Sequence, residues 1–103
     1  MAIINVNGAT KRGQELLARA RRNEGNELRN VYGRWSNKKE EAMRDCKREC
    51  LEDKGTDFRI IRHCRDNFSV AWEYTNQETG EIMTKIKTNC NTYIIDGTRI
   101  SKK

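Results

Sequence analysis

The chain has 103 residues and a net charge of +6, and its apolar and charged residues each make up 35% of the sequence. This length suits one domain over residues 1–103, with frayed ends at 1–9 and 101–103, and this composition predicts a small core within a heavily charged surface. The sequence has no apolar run long enough to span a membrane and no signal peptide at its start, so we expect a cytoplasmic protein.

A first helix is predicted over residues 10–24. Thr10 can cap its amino end through the side-chain hydroxyl, and Leu17 and Ala20 belong to an apolar stripe with helical spacing. Arginines crowd the last turn, where cations complement the helix dipole. A short helical turn is expected next, over residues 26–35.

The longest predicted helix covers residues 36–54. Ser36 is a good N-cap, and Gly55 is predicted to end the helix in the left-handed conformation that glycine favours. An apolar stripe with helical spacing marks the face that packs on the core. The members of this stripe are Ala42, Met43, Cys46 and Cys50.

The C-terminal half of the sequence predicts a meander of short strands over residues 58–63, 68–74, 82–88 and 92–95. Apolar residues alternate along these segments, and turn residues such as Gly80 separate them. Helices followed by a meander indicate an α+β fold. We expect the N-terminal helices, one of them long, to pack on one face of a three- to four-stranded antiparallel sheet.

Four cysteines and one histidine are the candidate metal ligands in the sequence. Cys46 and Cys50 share a face of the long predicted helix, whereas Cys64 and Cys90 are isolated. The two closely spaced cysteine pairs that are typical of zinc knuckles are missing. Buried thiols are therefore favoured over a zinc site that includes His63, and no cofactor is expected.

The sequence contains no recognisable catalytic constellation. His63 precedes Cys64, but neighbouring residues on a strand point to opposite faces, so the two cannot form a nucleophile–base couple. A phosphate-binding glycine loop and the common hydrolase and metalloprotease motifs are also missing. These observations predict a protein that acts by binding and is not an enzyme.

Positive charge is concentrated in the N-terminal part of the sequence. Residues 1–44 contain ten Lys/Arg and five Asp/Glu, which is +5 of the total of +6. Such a field attracts nucleic acid or an acidic protein groove, although a solvated surface accounts equally well for this excess. Basic side chains can contact phosphates, and an exposed aromatic ring can stack on a base. The candidate binding residues are Arg19, Arg21, Arg22, Arg29, Tyr32, Arg34, Lys38, Lys39 and Arg44.

Two stretches of the sequence resemble a known group of proteins. The first stretch, residues 30–46, begins Asn-Val-Tyr-Gly-Arg-Trp-Ser. The second begins Gly-Thr-Asp-Phe-Arg-Ile-Ile at 55–61 and continues with Phe-Ser-Val-Ala-Trp-Glu at 68–73. Over most of residues 10–95, the chain resembles short accessory proteins of mobile elements and prophages in gut Firmicutes. Some proteins of that kind are anti-CRISPR proteins, which block the type II effector made of Cas9 and its guide RNA.

The resemblance implies a stoichiometric inhibitor in a bacterial host cell, with Cas9 or the Cas9–guide RNA complex as its partner. Such an inhibitor would block effector assembly, entry of target DNA or the conformational step that licenses cleavage. A basic chain is unsuited to mimicking DNA, so contact with RNA, DNA or an acidic protein surface is expected instead. The alternative is a nucleic-acid-binding accessory protein of a mobile genetic element.

Overall fold

The computed structural model describes residues 2–22, 36–63, 67–88 and 91–96. The helical turn expected over residues 26–35 lies outside these ranges. In chain order the described elements are β1 (Ala2–Asn7), α1 (Lys11–Arg22), α2 (Asn37–Glu52), β2 (Thr56–His63), β3 (Phe68–Thr75), β4 (Ile82–Thr88) and β5 (Asn91–Asp96).

The described strands form one five-stranded mixed sheet in the order β1-β5-β4-β3-β2. From β1 at one edge, the chain passes through both helices to β2 at the opposite edge. It then returns strand by strand, so that β2 to β5 are antiparallel neighbours and β5 closes against β1 in parallel. Strands β2 to β5 form an antiparallel meander as predicted, but β1 makes the sheet five-stranded and mixed, and this parallel strand was not predicted.

The structure differs from the expectation that residues 1–9 are frayed. Val6 is 8% exposed and lies opposite Ile95 in the parallel ladder. The turn after β1 is also held, because the Gly8 amide donates to the Asp96 carbonyl oxygen at 2.8 Å. The β-branched residues of β1 favour a strand. The pairing of β1 with β5 could not be predicted, because β5 is distant in the sequence.

The two helices lie on opposite faces of the sheet, and the prediction that they share one face is wrong. α1 contributes Leu17 to a core cluster that includes Ala71 of β3. α2 contributes Cys46 to a second cluster that includes Val70 and Trp72 of the same strand. Since successive strand residues point to opposite faces, β3 is covered from both sides and the fold has three layers. Ala71 is small and lies between two large residues in the sequence, so the pattern of β3 gives little indication that its second face is also buried.

Helices α1 and α2 begin where the sequence predicts. The Thr10 hydroxyl accepts a hydrogen bond from the Gly13 amide at 3.1 Å, and the Ser36 hydroxyl accepts one from the Lys39 amide at 3.2 Å. Gly13 also lets α1 start close to β1, because a Cβ at this position would lie 2.1 Å from the Asn7 carbonyl oxygen. Of the described helices, neither has the length and apolar character that crossing a bilayer requires.

The carboxyl end of α2 differs from the prediction. The left-handed residue is Lys54, with a φ of 57°, and not Gly55. The Gly55 amide donates a hydrogen bond to the Cys50 carbonyl oxygen at 2.8 Å, and the Lys54 amide donates one to the Leu51 carbonyl oxygen at 3.0 Å. These two bonds form a Schellman motif. Glycine is required at position 55 for space, since a Cβ there would lie 2.5 Å from Trp72 Cδ1.

A buried arginine joins α1 to the sheet. Arg59 of β2 is 7% exposed, and its Nε donates to the Ala20 carbonyl oxygen in the last turn of α1 at 2.7 Å. Its two terminal nitrogens each donate to one Glu73 carboxylate oxygen at 2.9 Å, which makes a bidentate pair. The Asp57 carbonyl oxygen accepts a further hydrogen bond at 2.7 Å. Arg59 therefore caps α1 and fixes its position over β2 and β3.

Lys85 of β4 has the corresponding place on the opposite face. Its ammonium group lies 2.9 Å from the Glu49 carboxylate and 2.8 Å from that of Asp53, both on the α2 side. Lys87 also pairs with Glu49, and the Trp72 indole N–H donates to Asp53 at 2.9 Å. Burial by itself lowers the pKa of Lys85, but the hydrogen bonds and charges of Asp53 and Glu49 outweigh it and raise that pKa above its ordinary value. Lys85 is thus held in its charged form.

Replacing Glu73 with glutamine should destabilise the fold by about 3 kcal/mol, because buried Arg59 would lose its bidentate charge partner. The measurement is the free energy of unfolding in urea. Asp45→Asn is the matched control, since it removes an exposed pair with Arg48 and should cost less than about 1 kcal/mol. Equal losses for the two variants would contradict the structural role of the Arg59 pair.

Candidate functional site

A cleft of about 300 Å³ lies between α1 and the sheet, and we refer to it as the α1 cleft. One wall is formed by α1. The floor and the other wall come from β2, β3, β4 and β5, at the end of the sheet where β2 and β4 finish and β3 begins. Basic, hydroxyl and apolar side chains all line this space.

The α1 wall of the cleft consists of Arg12, Glu15, Leu16 and Arg19. Residues three, four and seven positions apart share one face of a helix, so these side chains lie along a single stripe. Leu16 is half-buried and packs against the core, whereas Arg12 and Arg19 are exposed. The helix therefore presents two guanidinium groups on either side of an apolar contact.

The rim opposite α1 is set by the register of three strands. Arg62 pairs with Ser69, and Ser69 pairs with Thr88, so the three residues form a row across β2, β3 and β4. Neighbours in such a row have Cβ atoms about 4.5–5.5 Å apart. The Thr88 hydroxyl binds the backbone of Asn91. Within the described residues the Ser69 hydroxyl makes no hydrogen bond, and it lines the cleft.

The floor of the cleft is apolar. Ile61 and Ile86 line it and are only 1% and 3% exposed, so they belong to the core beneath the cleft. Tyr93 is the cross-strand neighbour of Ile86 and is half-buried beside it. The Arg12 guanidinium carbon lies 5.9 Å from the centroid of the Tyr93 ring, which is cation–π range.

The arginines of the cleft differ from the buried cations in their electrostatics. Arg59 is neutralised by carboxylates, whereas Arg12, Arg19 and Arg62 form no salt bridge with any residue that the structure describes. Glu15 is the one carboxylate among the described lining residues. Three positive charges therefore face one negative charge around an apolar floor. Such a site can bind an anion that carries a flat or apolar group, because guanidinium forks match phosphate and carboxylate oxygens.

A larger depression of about 580 Å³ lies between the end of α2 and the hairpin after β3. Glu52, Asp53 and Glu78 line it, and Lys54 is the one basic residue in its described lining. Its negative charge makes it unsuited to an anionic ligand, so the smaller α1 cleft is the better candidate for one.

Of the residues predicted to bind, the α1 members lie on the same side of the sheet as the cleft. Arg19 lines the cleft itself. Arg21 and Arg22 are exposed in the last turn of the helix, where each also makes contacts. Arg29, Tyr32 and Arg34 lie outside the described residues.

The α2 members of the predicted set are on the other side of the sheet. Lys38 and Arg44 are exposed there, and Lys39 is 5% exposed. A lysine this deeply buried is not available to a phosphate at the surface. Among the described residues, the predicted basic side chains of α1 and those of α2 therefore lie on opposite sides of the sheet.

Sequence reasoning missed most of the α1 cleft, including Arg12, Arg62 and Tyr93. The spacing of Arg12, Leu16 and Arg19 on one helix face was a signal that could have been used. Nothing local indicated that Arg62 and Tyr93 would face them, since that depends on the pairing of β2 with β3 and of β4 with β5.

The two described cysteines are free and lie in the core beneath α2. Burial is the main cause that raises the pKa of the Cys46 thiol from an ordinary 9.0 to about 11, and it also raises the pKa of Cys50. Cys64 and Cys90 lie outside the described residues. Within the described ranges, no group of three or more His, Cys, Asp or Glu side chains is arranged to hold a metal ion.

Comparison with protein-family models, with curated proteins and with solved structures finds no match for this chain.

The burial of Cys46 and Cys50 predicts slow thiols. In a Cys50→Ala/Cys64→Ser/Cys90→Ser variant, Cys46 should react with an aromatic disulfide reagent at pH 8 about 100-fold more slowly in the native state than in denaturant, because a thiol pKa of about 11 instead of 9.0 leaves about a hundredth as much thiolate. Equal rates in the two states would contradict the buried position.

Proposed function

We propose that the protein binds nucleic acid and that the α1 cleft is its contact site. The observation that supports this best is the convergence of Arg12, Arg19 and Arg62 on one cavity without a salt bridge to any described residue. Arginine binds phosphate oxygens through paired hydrogen bonds, and phosphate contacts supply much of the affinity for nucleic acid.

Simple solvation explains these arginines less well than binding does. Solubility needs scattered charges of both signs, without regard to the shape of the surface. The three arginines come from two different elements and surround a concave apolar floor. Arg21 and Arg22 continue the positive charge along α1.

The Arg12→Ala/Arg19→Ala/Arg62→Ala variant should bind a short labelled oligonucleotide about tenfold or more weakly at low salt, since three phosphate contacts are lost. For a single-stranded oligonucleotide, the slope of log affinity against log salt should also fall by about two. Fluorescence anisotropy measures both quantities.

The matched control for this variant is Lys38→Ala/Arg44→Ala/Lys47→Ala, which removes the same charge from exposed positions of α2. Equal losses for the two triple variants would show that affinity follows net charge, and would contradict a role for the α1 cleft. If the unmodified chain binds neither RNA nor DNA at low salt, the proposal of nucleic-acid binding is wrong.

A more specific proposal follows from the resemblance to anti-CRISPR proteins: a stoichiometric inhibitor of Cas9. The net charge of +6 favours contact with guide RNA, target DNA or an acidic protein surface over imitation of DNA. The α1 cleft supplies a contact site for either nucleic acid. An accessory protein of a mobile genetic element that binds nucleic acid without Cas9 would use the same site.

Purified protein in molar excess should reduce cleavage of target DNA by Cas9. Adding it before and after guide loading, and reading the cut fraction on a gel, separates an effect on assembly from an effect on the loaded effector. The triple-arginine variant should lose the inhibition if the contact is with nucleic acid. Undiminished cleavage in both orders of addition would reject the inhibitor and leave the accessory-protein proposal standing.

A further inference from the structure

We infer that the α1 cleft takes one unstacked nucleotide of a single strand, with the base on the apolar floor and the phosphate between Arg19 and Arg62. This inference rests on the proposed nucleic-acid binding and adds the kind of nucleic acid and the way in which it is held.

The size of the cleft favours a single nucleotide. At about 300 Å³ it lies at the small end of ligand-binding pockets, which span about 300–1,000 Å³. A group the size of a nucleoside can enter such a space, and a double helix cannot. The bases of a duplex are stacked and paired, whereas single strands expose base faces to a protein.

The floor of the cleft suits the face of a base. Half-buried Leu16 offers apolar contact at the surface of the cleft, and Ile61 and Ile86, which are almost fully buried, support it from beneath. Tyr93 adds an aromatic ring at the side, with the Arg12 guanidinium 5.9 Å from its centroid. Bases stack on aromatic rings and on guanidinium planes, and this stacking tolerates any base because every base has a π-face.

The polar groups at the rim suit the remainder of a nucleotide. Arg19 on α1 and Arg62 on β2 both line the cleft, and their guanidinium groups match the oxygens of a phosphate. The Ser69 hydroxyl, which makes no hydrogen bond within the described residues, adds a donor and an acceptor. Glu15 opposes a bare inorganic anion, but its carboxylate can accept hydrogen bonds from the exocyclic amino group of a base.

The first test uses the unmodified chain. Fluorescence anisotropy compares labelled single-stranded RNA, single-stranded DNA and the duplexes of the same sequence at one low salt concentration. Single strands should bind about tenfold or more tightly than duplexes, which is the expected scale for one stacked base. Nucleoside monophosphates should compete for the site, and inorganic phosphate at equal ionic strength should not.

The second test fills the cleft without changing its charge. Ser69→Leu fills space without adding an aromatic ring on which a base could stack, so it should weaken single-strand binding about tenfold and leave duplex binding unchanged. Thr75→Leu, at the exposed other end of β3, is the matched control and should bind like the unmodified chain. Thermal unfolding of both variants shows whether they are folded, and the competition experiment decides the question if Ser69→Leu is not.

Equal affinity for single strands and duplexes, together with no competition by monophosphates, would overturn the inference and leave nucleic-acid binding in place. Failure of every nucleic acid to bind would overturn both. Where single strands are preferred, a difference in affinity between RNA and DNA shows whether the sugar 2′-hydroxyl is contacted.

Discussion

Two buried cations hold the three layers of this fold together. Arg59 ties the last turn of α1 to one face of the sheet, and Lys85 ties α2 to the other through Glu49 and Asp53. Apolar residues are only 35% of the sequence, so there are few apolar contacts to fix the positions of the helices on the sheet. An arrangement that separated either cation from its partners would leave a buried charge unmatched, at a cost of several kcal/mol. Because Arg59 positions α1, it also sets the distance between the two walls of the α1 cleft.

Features of the fold that depend on local chemistry could be predicted from the sequence. The N-caps at Thr10 and Ser36 and the positive φ of Gly80, 77°, follow from side chains within a few residues. The faces of the sheet and its parallel edge could not be predicted, because they depend on partners far away in the chain. Gly55 is a third case. The sequence predicts a glycine with left-handed backbone at the end of α2, whereas in the structure glycine is needed there because Trp72 leaves no room for a side chain.

The candidate site was predictable only in part, for a related reason. The charge distribution in the sequence points to the N-terminal region, which includes Arg19. It cannot distinguish basic side chains that are buried or paired with carboxylates of the protein from those that are available to a ligand. Lys39 is as basic as Arg19 in the sequence and is buried in the structure. Arg62 and Arg59 are three residues apart on one strand, yet Arg59 is committed to Glu73 and Arg62 faces the cleft. Strand register and burial make this distinction, and composition does not.

The parallel pairing of β1 with β5 has a consequence for how the chain folds. β1 precedes both helices and the meander in the chain, and its partner β5 is the last strand of that meander. Closing so long a loop carries an entropic cost that neither helix formation nor the hairpins can repay locally. The meander can therefore assemble before β1 joins it, and Val6 becomes buried only when β1 pairs with β5. Amide hydrogen exchange in β1 would thus report on completion of the whole sheet, although β1 comes before every other described element in the chain.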